Sequence, residues 1–287
     1  MKFSNIIAGT MTWGVWGKKF NTTQMSDLIN YCLDHGVTTF DHADIYGGYT
    51  TEAEFGAALK EASVNRSDIQ LISKCGIQLL AESRNNKVKH YEQSESYIIS
   101  SAEQSLKNLR TDYLDLLLIH RPSPLMDPDE IANAAEKLKK SGKIRELGVS
   151  NFTPSQTDLL RSRTEVKANQ IQFSATDFNS MLNGDLDHMM LHNIKPMAWN
   201  PLGSVFREDT PQTQRIKQLM FDLIEKYKAS ADQLLLAWIM KHPAGVAPVI
   251  GTTNPDRIAN SAKAAEIELE LEDWFAIHEA SLGHEVP

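Results

Sequence analysis

Eight short apolar runs, each followed by a longer amphipathic stretch, dominate this sequence and restrict the folds open to it. The runs are 6–11 (IIAGTM), 37–43 (VTTFDHA), 69–75 (IQLISKC), 113–120 (YLDLLLIH), 144–150 (IRELGVS), 169–174 (NQIQFS), 195–200 (KPMAWN) and 246–251 (VAPVIG). Between them the periodicity predicts helices over 23–35, 51–62, 94–109, 128–141, 154–161, 183–192, 212–241 with a break near 229, and 255–264. A strand that is apolar throughout is covered on both faces, which is what helical crossovers between parallel strands achieve. Eight such units close naturally into a (β/α)8 TIM barrel, and 287 residues suit a fold that takes about 250.

Local signals agree with this division. Asp127-Pro128-Asp129-Glu130 reads as a helix start, with an Asp cap and a proline in the first turn. Lys139-Lys140-Ser141-Gly142 reads as its end. Ser230 to Gln233 is a capping box that divides the longest helical stretch. Residues 76–93 are expected to form a long polar loop after the third strand, and 268–287 a C-terminal helix and tail containing Trp274 and Phe275. No linker or compositional shift interrupts the chain, so one domain over 1–287 is expected.

Charge narrows the partners. The formal net charge is −8, and a duplex-binding protein needs a clustered basic surface to displace counterions. Nucleic acid is therefore not an expected partner. The basic stretch Arg84, Lys87, Lys89, His90 lies in the 76–93 loop, as a solvated face or as a contact for a charged substrate. No run approaches the roughly 20 apolar residues of a membrane span, and the first eleven residues carry no apolar leader with a cleavage site. A cytoplasmic protein with no membrane partner is expected. Cys32 and Cys75 fall in an amphipathic helix and an apolar strand, as buried small hydrophobes rather than a disulfide pair. Nothing in the sequence marks an oligomeric state.

The functional signal is positional. The second, third and fourth strands run into Asp41, Lys74 and His120, and Tyr46 follows Asp41 by five residues. In a barrel the C-terminal strand ends converge on one face, where catalytic groups are mounted. Each residue alone has an ordinary reading: a capping Asp, a snorkelling Lys, a rim Tyr, a core His. Together they make a proton donor. A free phenol, with pKa about 10, is a sluggish acid. An adjacent ammonium is expected to lower that pKa, with Asp41 keeping Lys74 charged and His120 orienting a substrate oxygen.

The remaining strand ends suit a cofactor. Ser150 and Asn151 follow the fifth strand, Gln170 lies on the sixth, and Trp199, Asn200 and Leu202 close the seventh. Amides can fix a carboxamide, and an aromatic can stack on a flat ring. Gly251, Thr252 and Thr253 lead to a helix start bearing Arg257, a frequent kind of phosphate site after strand eight. GTTNP is equally readable as a plain turn and cap. No GxGxxG follows a strand, so a separate Rossmann cofactor domain is not expected.

These motifs resemble those of the aldo-keto reductases over nearly the whole chain. The matching segments are Phe40-Asp41-His42-Ala43-Asp44-Ile45-Tyr46-Gly47, Ser73-Lys74, Leu118-Ile119-His120-Arg121-Pro122, Gly148-Val149-Ser150-Asn151-Phe152 and Gly251 through Ile258. DHADIYGGY, LLLIHRP and the ending SLGHEVP look most like one bacterial branch of the family. The resemblance implies a (β/α)8 barrel that reduces a small-molecule aldehyde or ketone with NADPH. It implies a catalytic tetrad of Asp41, Tyr46, Lys74 and His120, with Tyr46 the general acid. It implies that Ser150, Asn151 and Gln170 hold the nicotinamide carboxamide, that Trp199 stacks on the ring, and that Arg257 contacts the adenosine 2′-phosphate. Many members carry a lysine just before the phosphate loop, where this chain has Gly251, so NADH is also a possible cofactor. The chain reaches its first strand almost at once, so the hairpin that many members place across the barrel bottom is expected to be absent or reduced.

Trp13, Trp16, Tyr46 and His120 are expected to line the substrate pocket, with Phe206 nearby. Three other readings compete. A metal hydrolase built on Asp41, His42, Asp44 and His120 fails on strand alternation, because Asp41 and His42 face opposite ways. No metal is expected. A Schiff-base lysine needs a depressed pKa, and a neighbouring Asp41 would raise it. A cofactor-sensing binding subunit with little turnover is the non-enzymatic alternative.

Overall fold

A computed structural model describes residues 3–287. Its strands are β1 (Ile7–Gly9), β2 (Thr39–Asp41), β3 (Gln70–Cys75), β4 (Ile77–Gln78), β5 (His90–Tyr91), β6 (Leu114–Ile119), β7 (Ile144–Ser150), β8 (Ala168–Gln172), β9 (Lys195–Trp199) and β10 (Ala247–Ile250). Eight of them close a parallel barrel in the order β1-β10-β9-β8-β7-β6-β3-β2. The helices are α1 (Thr22–Asp34), α2 (Thr51–Ala62), α3 (Glu95–Leu109), α4 (Pro128–Lys140), α5 (Pro154–Arg161), α6 (Asp185–Leu191), α7 (Pro211–Tyr227), α8 (Ala231–Met240), α9 (Pro255–Lys263) and α10 (Leu271–Leu282). Among the described residues no helix is long and apolar enough to cross a membrane, and no strand precedes β1.

The eight apolar runs all become barrel strands, though several are shorter than the runs. The 37–43 run, for example, pairs only over Thr39–Asp41. His42 and Ala43 stay buried while leaving the sheet, so burial alone overstates strand length. The 76–93 segment is not wholly loop: β4 and β5 pair antiparallel across it. Cap chemistry sets the helix ends. Asp127 accepts from Asp129 N at 2.9 Å with Pro128 in the first turn of α4, and Ser230 with Gln233 starts α8 after α7 ends at a left-handed Lys228.

Strand alternation divides the core. Ile7, Ile72, Leu116, Leu118, Ala168, Met197, Ala247 and Val249 pack together as the barrel's interior plug. Their neighbours along the strands, such as Ile6, Ala8, Phe40, Leu71 and Leu117, pack outward beneath the helices. A glycine permits the tightest part of the plug: a Cβ on Gly148 would lie 2.6 Å from a Leu118 methyl and 2.8 Å from Ala168 O. The C-terminal helix is pinned by a reciprocal pair. Trp238 Nε1 donates to Trp274 O at 3.1 Å, Trp274 Nε1 donates to Trp238 O at 2.9 Å, and the rings stack 5.2 Å apart.

Candidate active site

One residue pair further along each strand, the same inward-facing positions turn polar. Ile72 is followed two residues on by Lys74, Leu118 by His120, Gly148 by Ser150, Ala168 by Gln170, and Met197 by Trp199. A side-chain period of two keeps all of these on the interior side. The site is therefore the layer directly above the apolar plug, at the C-terminal end of the barrel.

Lys74 is its centre. The Lys74 Nζ donates to Asp41 Oδ1 and Oδ2 at 2.7 and 2.6 Å, to the His42 carbonyl at 2.9 Å, and to the Tyr46 hydroxyl at 3.2 Å. It is 1% exposed, so each contact is made out of water. Gln170 Nε2 donates to Asp41 Oδ1 at 3.0 Å, completing the carboxylate's surroundings from across the barrel. The Tyr46 and His120 rings lie 6.3 Å apart at 80°. Turns hold Tyr46 in place: its N–H donates to Ala43 O, and Asp44 N donates to Lys74 O.

Electrostatics assign protonation states. Burial pulls the Lys74 pKa down, but Asp41 and Tyr46 outweigh it and hold the ammonium above its ordinary pKa. A Schiff-base role needs the opposite shift. Burial dominates at Tyr46 too. It raises the phenol's pKa, helped by Asp41, and overcomes the opposing pull of Lys74. Lys74 does pull the phenol's pKa down, as expected, but the net shift is upward because burial outweighs it. The ammonium's field is largely answered by its own carboxylate, and the phenol is held protonated. Burial and the charges of Lys74, Arg121 and Lys89 keep His120 well below its ordinary pKa, so its imidazole is neutral at neutral pH.

The expected cradle residues meet on the adjoining strands. Ser150 Oγ donates to Gln170 O at 2.9 Å and accepts from Asn151 Nδ2 at 2.9 Å. Asn151 Oδ1 accepts from Trp199 Nε1 at 3.0 Å. Asn151 and Asn200 both have left-handed backbones, φ +57° and +53°, a conformation asparagine tolerates better than most residues. Gln170 thus joins the cradle to the tetrad, because its amide nitrogen is committed to Asp41. Asn200 Oδ1 accepts from Arg207 at 2.8 Å, and Leu202 packs against the outer core. Arg121, which sequence reasoning gave no role, donates to Ser150 Oγ at 3.1 Å and lies 5.8 Å from the Trp199 ring centroid. Its only sequence signal was its place directly after His120. Hydroxyl, amides and indole in this arrangement suit a flat, carboxamide-bearing ring.

The last strand end is exposed. Gly251 O accepts from Thr12 Oγ1, Thr252 Oγ1 accepts from Asn254 N, and Asn254 caps α9 through Arg257 N. Thr253 lies between them, half-buried. The Arg257 side chain is exposed and makes no hydrogen bond or ion pair among the described residues. A capped helix start beside a free guanidinium suits a phosphate.

The two tryptophans part company. Trp16 is 46% exposed, and its ring lies 6.3 Å from that of Tyr46. Trp13 is fully buried, packed on Phe40 and Phe55 between the barrel and α2. It is therefore core, and its expected place in the pocket lining is corrected. The β4–β5 hairpin walls the site. Ile77 and Leu79 pack with Ala43, Ile45, Tyr46 and Tyr49, Leu79 N donates to Tyr49 OH at 2.9 Å, and Arg84 covers the Tyr49 ring at 4.3 Å. A cavity of about 770 Å³ lies at the opposite end of the barrel beside Ser4, Lys195 and Leu271, away from every one of these groups.

Behind the tetrad lies a second buried polar layer. Asp44 accepts from Tyr97 OH at 3.2 Å and Ser101 Oγ at 3.1 Å, and Glu52 accepts from Ser73 Oγ at 2.6 Å. Burial and the nearby Glu52 push the Asp44 carboxyl up to about 7. His42 faces away from Asp41, bonded to Thr10 and edge-on to Phe55, and burial lowers its pKa to about 3. Asp41, His42, Asp44 and His120 do not gather as a ligand set. Cys32 and Cys75 are free and buried, as expected.

Comparison with known proteins agrees with this geometry. The aldo/keto reductase family model matches residues 5–281. The chain is 43% identical to the uncharacterized oxidoreductase YcsN of Bacillus subtilis (strain 168), covering 100% of this chain and 97% of that protein. It is 42% identical to oxidoreductase YdhF of Escherichia coli (strain K12), covering 100% and 96%. An aldo-keto reductase of Bombyx mori (AKR2E4), solved in complex with NADP, shares the fold with a TM-score of 0.76 at 24% identity, over 96% of this chain and 88% of that one. The chain belongs to the aldo/keto reductase family and is a carbonyl-reducing oxidoreductase.

Proposed function

We propose that Tyr46 donates the proton in this reduction, that the hydride comes from NADPH, and that the chain works as a single domain in the cytoplasm. The observation that supports it most is the Tyr46 hydroxyl set 3.2 Å from a buried ammonium that is itself gripped by Asp41. In the resting site the phenol keeps its proton because burial outweighs the charge of Lys74. As negative charge develops on a carbonyl oxygen, the Tyr46 proton moves to that oxygen. The Lys74 N–H stabilises the phenolate left behind. Neutral His120 donates a hydrogen bond to the same oxygen and fixes the carbonyl's orientation. When bound, the nicotinamide would supply the hydride to the carbonyl carbon, and carbonyl, hydride and the Tyr46 proton together would make the alcohol.

In this reading Ser150, Asn151 and Gln170 hold the carboxamide and Trp199 covers the ring. Asn200 and Leu202 continue the channel, and Gly251, Thr252 and Thr253 pass the phosphates to the start of α9. Arg257 favours NADPH over NADH because a guanidinium matches a 2′-phosphate, which NADH lacks. The substrate is a small aldehyde or ketone admitted between Trp16 and the β4–β5 hairpin. The test is a panel of aldehydes, ketones and dicarbonyls, followed by loss of reduced-cofactor absorbance with NADPH and with NADH. Saturable oxidation, faster with NADPH, is expected. Tight NADPH binding with negligible reduction of every compound would overturn the reading in favour of a cofactor-sensing subunit.

A further inference from the structure

On the outer helices, ligand-type side chains gather where neither the tetrad nor the cradle uses them. His188 and His192 stand one turn apart at the C-terminal end of α6, where His192 N donates to His188 O at 3.1 Å. Asp158 belongs to α5. His188 Nε2 lies 2.8 Å from Asp158 Oδ1, and His192 Nε2 lies 3.8 Å from the same oxygen. The two rings are 4.6 Å apart at 66°. One ligand atom from each residue falls within 4.8 Å of the others. The imidazoles are half-buried and the carboxylate is open to solvent.

We infer that Asp158, His188 and His192 form a site for a zinc-class divalent cation that clips α5 to α6. Residues four apart on a helix share a face, so the backbone has already placed two nitrogen ligands side by side. The third ligand comes from a separate helix, so the set is convergent rather than a run along one surface. Two imidazoles and a carboxylate are also the ligands that zinc takes with one water, and magnesium and calcium prefer all-oxygen sets. The end of α6 favours a cation in addition, since the last helical carbonyls carry partial negative charge. One competitor is present: Arg161 donates to Asp158 Oδ1 at 3.0 Å. It is an exposed pair within one helical turn, a weak interaction that an ion can displace.

The site is independent of the reading of the barrel mouth, because none of its residues belongs there. The test is calorimetric titration of chelator-treated full-length protein with zinc chloride, with magnesium chloride as control. One zinc per chain and no magnesium uptake are expected, with a rise in Tm on zinc addition. His188→Ala and His192→Ala should each weaken zinc by about tenfold or more, and the double variant should lose both the binding and the Tm rise. Arg161→Ala should tighten binding. Reductase turnover without added metal should be the same in all of them. Absence of saturable zinc uptake by the wild-type protein, leaving only a surface ion pair, would overturn the proposal. So would undiminished stoichiometric uptake by His188→Ala/His192→Ala.

Discussion

The two ends of the barrel mouth are prepared to different degrees. At the β2–β3 end, Lys74 and Asp41 are buried and fully engaged with each other, with Gln170 and with the His42 carbonyl. At the β10 end, most of the loop from Gly251 to Arg257 is open to solvent, and the Arg257 guanidinium has no hydrogen-bond or ion-pair partner among the described residues. The difference follows from cost. A charge taken out of water must be paired before any ligand arrives, so the proton-transfer machinery is assembled in advance. A phosphate brings its own charge, so the cation that meets it can stay hydrated until then.

Breaking the buried end should have the largest effect. Lys74→Met should lower kcat by about 10²- to 10⁴-fold, the range for loss of positioned acid–base catalysis. It should also cost about 3–5 kcal/mol of stability, because Asp41 is left buried and unpaired. Adding Asp41→Leu should recover much of that stability in denaturant unfolding and none of the turnover. If Lys74→Met alone left stability unchanged, the pair would not be a buried, mutually dependent unit.

The tryptophans sharpen the same contrast between packed and open surroundings. Trp13→Ala should cost about 3–5 kcal/mol, as large core aromatics do. Trp16→Ala should cost about 0.5 kcal/mol or less, as an exposed position does, and should alter KM for the carbonyl compound instead. Urea unfolding and steady-state kinetics on the two variants separate the roles.

At the open end, Arg257→Ala should raise KM for NADPH by about 10- to 100-fold, the size of a lost hydrogen bond between charged groups. KM for NADH and kcat at saturating cofactor should hardly move. Equal losses with both cofactors would remove Arg257 from the 2′-phosphate.

The last effect expected is one of pH. Asp44 titrates near 7 in the fold against an ordinary 3.8. Between those values the folded protein keeps a proton that the unfolded chain has released, so this group lowers stability as pH rises through the window. His42 acts in the opposite sense between about 3 and 6.5, where only the unfolded chain takes up a proton. Comparing Asp44→Asn with the parent cancels the His42 contribution. The variant's Tm should fall less, by a few degrees, between pH 4 and 7; parallel curves would place the Asp44 titration elsewhere.

Much of this molecule is legible in its sequence. The barrel follows from eight apolar runs, and the register of the site follows from alternation: Asp41, Lys74 and His120 are marked because polar groups end runs that are otherwise apolar. What escapes a linear reading has a physical reason in each case. Gln170 reaches Asp41 across 129 residues of chain, a contact that only barrel closure creates. Trp13 and Trp16 are the same residue type three positions apart, and only the turn carrying Trp13 N–H onto Thr10 O sends one inward. The direction of the Tyr46 shift depends on burial weighed against the Lys74–Asp41 pair, a balance that adjacency alone does not give.

The most direct test of the account is Tyr46→Phe, measured for cofactor affinity and turnover on the same preparation. The substitution removes one hydroxyl and keeps the ring between Trp16 and His120. The account predicts an NADPH Kd close to the parent's and turnover reduced by about 10²- to 10⁴-fold. Turnover retained near the parent's level would contradict it, because the proton would then come from another group.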